Sequence, residues 1–156
     1  MAIDSVGTRR TPERNSPLIG GSVVVNPGPV ATVTMSSTKT LTAAEVLVGL
    51  IPANCTDTCT TTLPTAALLN AAIPGVAVGN WIEFTFINFG DSTITLAVGT
   101  GITAKVIDSA TAVLTTATNY SNRYMLVCTG VANPTDPSKS DSWDLYGCGT
   151  VAAAVV

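Results

Sequence analysis

Apolar and polar side chains alternate most cleanly between Trp81 and Val98. Ile82, Phe84 and Phe86 fall on one side of an extended strand, with Glu83 and Thr85 on the other. After the turn residues Gly90, Asp91 and Ser92, the alternation resumes at Ile94, Leu96 and Val98. The pattern predicts a β-hairpin with one apolar face. A two-stranded ribbon is not stable alone, so the rest of the chain must supply strands that cover it.

The flanking sequence reads the same way. Residues 23–25 and 30–35 predict strands on either side of the turn Asn26-Pro27-Gly28-Pro29. Residues 41–50 carry good helix formers, and Thr42 with Glu45 has the spacing of a capping box. A second short helix starts after Thr65 and stops at Pro74-Gly75, with Leu68, Leu69, Ala72 and Ile73 as its buried stripe. Residues 102–107 read as an edge strand, residues 112–116 as a further strand, and residues 119–122 as a turn. Residues 123–128 and 143–146 are then strands joined across a polar loop at 133–141. A loop centred near Thr135 and Asp136 sets Cys128 opposite Trp143 and Cys148 opposite Arg123, so the two cysteines stand apart. The apolar tail, residues 150–156, packs as an added strand or between subunits. The fold class is all-β: about seven to nine strands in an antiparallel β-sandwich or jelly-roll-like barrel, with one or two short helices. Residues 1–20 are an extended N-terminal arm, and residues 21–156 form a single β-sandwich domain.

Composition changes what such a domain is for. Only 11% of the 156 residues are charged and 46% are hydrophobic, while aromatics make up 5%. A core of small and β-branched side chains with so little charge outside it leaves apolar surface to meet other subunits. The net charge of −3 gives no reason to expect nucleic-acid binding. No apolar run reaches the roughly 18 residues of a membrane span, and the N-terminus lacks a signal-peptide pattern, which places synthesis in a cytoplasm. The arm holds Arg9, Arg10 and Arg14, three of the seven basic residues. It reads as an anchor for a neighbouring subunit or an acidic surface, or as a disordered leader.

Candidate chemistry is sparse. Histidine is absent, which removes the commonest general base and metal ligand. The carboxylates are scattered, and Asp141 and Asp144 suit a solvated loop and strand start. Residues 99–105 lack the second Gly and the Ser or Thr of a phosphate loop and read as a turn. Glu83 faces solvent, a subunit seam or Arg123. Residues 54–56 and 119–121 fit the glycosylation pattern. The four cysteines admit three readings: a Cys55–Cys59 disulfide closing a small loop, a four-cysteine zinc site, or buried thiols. Tyr120 and Trp143 could stack on a sugar, although core packing is the commoner role of such residues. No catalytic, cofactor or metal site emerges.

Residues 41–51, 63–75 and 78–88, with Leu96-Ala97-Val98-Gly99-Thr100-Gly101 and the later Asn122-Arg123-Tyr124-Met125-Leu126-Val127 and Trp143-Asp144-Leu145-Tyr146, resemble a known module. It is the β-rich structural module of virion proteins in tailed phages and large DNA viruses, found also at the ends of collagen-like chains. The chain departs from that pattern in its cysteine loop and in the insertion at 131–141. The resemblance implies a non-enzymatic, self-associating module, trimeric, that builds or decorates a particle surface beside other virion proteins. A rival reading from another class is a glycan- or small-ligand-binding β-module on a fibre.

Overall fold

The computed structural model describes residues 33–35, 38–105 and 114–152. The arm, the strand expected at 23–25 and the end of the apolar tail lie outside the described residues. Ten strands and two helices follow in the order β1 (Val33–Met35), β2 (Thr38–Thr40), α1 (Ala43–Leu47), β3 (Leu50–Cys55), β4 (Cys59–Thr62), α2 (Ala66–Ala72), β5 (Trp81–Asn88), β6 (Ile94–Ala97), β7 (Ile102–Lys105), β8 (Thr115–Thr116), β9 (Tyr120–Gly130) and β10 (Ser142–Ala152). Six strands form one sheet, β1-β3-β5-β9-β10-β7, and four form another, β2-β4-β6-β8.

The expected antiparallel architecture is corrected in one respect: the sheets are mixed. β1, β3 and β5 run parallel to one another, as do β2, β4 and β6, and β7 runs parallel to β10. The expected hairpin is corrected as well. β5 pairs with β3 and β9, whereas β6 pairs with β4 and β8 in the other sheet. Three successive strand pairs, β1/β2, β3/β4 and β5/β6, therefore span the two sheets as arches stacked on one another. The connection between the first two arches carries α1 and the next carries α2. An arch and a hairpin both turn their apolar faces inward, so alternation alone does not separate them.

Local sequence explains the turns. The Thr42 hydroxyl accepts from the Glu45 amide while the Glu45 carboxylate accepts from the Thr42 amide, completing the capping box. Thr65 caps α2 with its hydroxyl alone, which accepts from the Leu68 amide at 3.3 Å. In α2 the buried residues are Ala66 and Leu69, followed by Ile73 just beyond the helix, while Leu68 is 55% exposed. Leu69 and Ile73 are buried as expected, whereas Leu68 and Ala72 face out and Ala66 takes an inward place instead. Gly90 lets the third arc sit on the second, because a Cβ there would overlap the backbone of Cys55. Ser92 then donates its amide to the Cys55 carbonyl at 3.2 Å.

Inward side chains of both sheets join one core. Ile82, Phe84 and Phe86 of β5 meet Tyr124, Leu126 and Cys128 of β9, Trp143 and Leu145 of β10, and Ile94 and Leu96 of β6. The Phe84 and Tyr124 rings stack with centroids 5.2 Å apart. On the other side of the four-stranded sheet, register places Thr38, Thr60, Thr95 and Thr115 in one line across all its strands. β-branched threonine suits a pleated surface that need not carry charge.

Candidate functional site

The structure disperses the residues that the sequence singled out. Cys55 and Cys59 are bonded to each other across residues 56–58, closing the second arc between the two sheets. Cys128 is buried and Cys148 exposed, both as free thiols. The β9/β10 register sets Trp143 opposite Cys128 as expected, and a bulge at Cys148 puts Gly149 rather than Cys148 opposite Arg123. Burial raises the Cys128 thiol above its ordinary range, a shift that its hydrogen bond to the Gly130 carbonyl opposes only in part, so it stays protonated and inert. Among the described residues no cluster of three or more His, Cys, Asp or Glu could hold a metal ion.

Trp143 cannot meet a sugar. It is fully buried, and its indole N–H donates to Asn70 Oδ1 at 2.7 Å. Tyr120 is 39% exposed and pairs in register with Ala152, nine residues along β10 from Trp143. Phe89, 48% exposed, follows Asn88, which is the register partner of Tyr120 on β5, so these two rings mark one end of the sheet. Asp141 is held by Asn70 at 2.6 Å and by the Ala132 amide at 2.8 Å, and Asp144 lies 3.5 Å from Lys105. Those two carboxylates serve different partners and form no acid pair. Residues 99–101 are the turn into β7, where the Ile102 amide donates to the Gly99 carbonyl. Arg9, Arg10 and Arg14 lie outside the described residues.

Three buried or half-buried asparagines carry structure that the sequence reading missed. Asn88 Nδ2 donates to the Ser92 carbonyl at 2.7 Å and the Thr116 carbonyl at 3.0 Å, while its Oδ1 accepts from the Gly90 amide. Asn122 Nδ2 donates to the Thr115 carbonyl at 2.7 Å and contacts the Thr116 hydroxyl and the Tyr124 phenol, each at 3.2 Å. These two side chains, from β5 and β9, pin β8 of the opposite sheet. Asn70 ties α2 to the start of β10 through Trp143 and Asp141. Burial raises the Tyr124 phenol above its ordinary value, with the hydrogen bonds to Asn122 and Thr116 opposing the shift. The available signal was phase: Asn88 continues the inward series 82, 84, 86, and Asn122 begins the series 124, 126, 128. A polar amide at an inward step needs partners inside.

One surface open to contact among the described residues is the outward face of the six-stranded sheet. Trp81, Met125, Val127 and Tyr146 stand there, half-buried by their neighbours. Arg123 crosses from β9 to grip Glu83 of β5 with two bonds, at 2.7 and 2.8 Å. That grip raises the guanidinium further above its already high value. The pair is exposed, not buried, so its weight lies in orienting the two side chains. No helix among the described residues is long and apolar enough to cross a membrane. Scans of this chain against family models, curated proteins and solved structures return no match.

Proposed function

We propose that the chain is a non-enzymatic virion structural protein that self-assembles and builds or decorates a particle surface, with residues 1–20 as its anchor. The observation that carries this reading is where the apolar side chains stand. Leu50, Leu68, Val78, Phe89 and Tyr120 are exposed in a chain with only 11% charged residues, a surface suited to subunit contacts. The virion setting rests on the sequence resemblance, which also implies a trimer. The two sheets, sharing one core, are read as the layers of a jelly-roll-like β-sandwich.

Light scattering on the full chain, with and without reductant, tests this reading. A stable multiple of the 15.9 kDa chain is the expected result. A single-chain mass at high concentration under both conditions overturns self-assembly. Because the Cys55–Cys59 bond lies within one chain, reduction leaves the oligomer's mass unchanged unless other cysteines join subunits. The exposure of Phe89 and Tyr120 at one end of the sheet favours one rival, a glycan-binding module. It predicts sugar binding that is lost in Tyr120→Ala.

A further inference from the structure

The charges on the outward face of the six-stranded sheet are not placed at random. One register line crosses four adjacent strands: Glu83 on β5, Met125 on β9, Tyr146 on β10 and Lys105 on β7. It reads acid, apolar, apolar, base. Reversed, the same line reads base, apolar, apolar, acid. A surface with that property is complementary to a copy of itself turned about an axis running along the strands, midway between β9 and β10.

We infer that this face binds a second copy of the chain across such a two-fold axis, an inference that rests on the self-assembly reading above. The rotation sets Glu83, which already accepts from Arg123 of its own chain, against the partner's Lys105, and Lys105, which lies 3.5 Å from its own Asp144, against the partner's Glu83. Met125 meets the partner's Tyr146 at the centre. The next line, Trp81, Val127, Asp144 and Thr103, sets Trp81 over the partner's Thr103. It also brings Val127 beside the partner's Asp144, whose carboxylate is already turned toward its own Lys105 at 3.5 Å. Met125, Val127 and Tyr146 stand with Asp144 on the two central strands, and Trp81, Glu83 and Lys105 on the two flanking ones, a mostly apolar centre with charge toward its margin, as in protein–protein interfaces. A two-fold axis across the strands instead would set Glu83 against Glu83 and Lys105 against Lys105, so neither would face an opposite charge at the other end of the line. The surface therefore specifies both its partner and the direction in which the partner lies.

Zero-length carbodiimide coupling of the wild-type chain at low salt tests the pairing directly. Within one chain, β5 and β7 are three strand spacings apart, about 14 Å, beyond the reach of a direct amide between Glu83 and Lys105. A Glu83–Lys105 crosslinked peptide recovered from the dimer band is the expected result. A dimer band lacking it, or no dimer band, overturns the proposal. The second arm is Met125→Arg, which puts a charge at the centre of the contact, compared with Thr60→Arg on the outward face of the other sheet. Met125→Arg is expected to lower the mass in solution by breaking the two-fold contact, to that of one chain where the assembly is a dimer, while Thr60→Arg leaves it unchanged. An assembly that survives Met125→Arg, or a wild-type mass of three chains with no two-fold contact, leaves self-assembly standing and removes this face from it. A wild-type monomer removes both. Should Met125→Arg fail to fold, the crosslink on the wild-type chain decides.

Discussion

A single methyl group at position 90 shows how tightly the arcs are stacked. The Cβ of Gly90→Ala would fall on the Cys55 backbone, which is paired in register with Met35 of β1 and tied by the disulfide to Cys59. Neither neighbour is the flexible end of a side chain, so the third arc must lift and carry with it the Asn88 bond to the Gly90 amide. Loss of at least about 3 kcal/mol is expected, at the top of the range for overpacking. Urea unfolding checks it, and a loss under about 1 kcal/mol would show that the arcs are looser than described. From the sequence Gly90 is a turn residue. That it is a packing residue follows only from what lies beneath it.

At the scale of elements, α1 is short, and its stability depends on its cap. Burial alone would raise the Glu45 carboxyl, but the hydrogen bond from Lys39 at 2.7 Å and those from Thr42 outweigh it and hold the group below its ordinary 4.5. A lowered carboxylate value contributes stability that is fully present above the unfolded value and lost as pH falls through the folded one. Glu45→Gln is therefore expected to be less stable than wild type at pH 7, by about 0.5 kcal/mol for so exposed a group. The gap closes as pH drops below 4.5. Thermal unfolding across that window checks it, and a gap that does not narrow as the pH falls would assign the effect to cap geometry instead of charge. Both helix starts were legible, because a cap is a local matter of hydroxyl, carboxylate and spacing. The α2 stripe was legible only in part. Ala66 and Leu69 turn inward, and Leu68 outward, because of where the helix docks against the start of β10 through Asn70.

For the whole molecule, the function proposed above resides in surfaces, shared between the arm and the body. If residues 1–20 anchor the protein, their removal abolishes attachment to particles and leaves the unfolding curve of the body unchanged. Attachment that survives the deletion would transfer anchoring to the sheet faces. The core from Leu41 to Leu145 lies beyond the arm, so the deletion removes none of its buried side chains.

The sequence by itself determined the strand-rich class, the inward phase of β5, both helix caps and the register of Trp143 against Cys128. Each of these depends on contacts within a few residues or across one loop, where alternation, capping chemistry and loop length suffice. Tertiary structure alone decided that β5 and β6 belong to different sheets, that the stacked arches run parallel, and that Trp143 is buried against Asn70. It also decided that Glu83, Met125, Tyr146 and Lys105 share one line. Those outcomes depend on which strands become neighbours after long connections. The same alternating pattern serves a hairpin as well as an arch, so the choice falls to packing between segments distant in the chain.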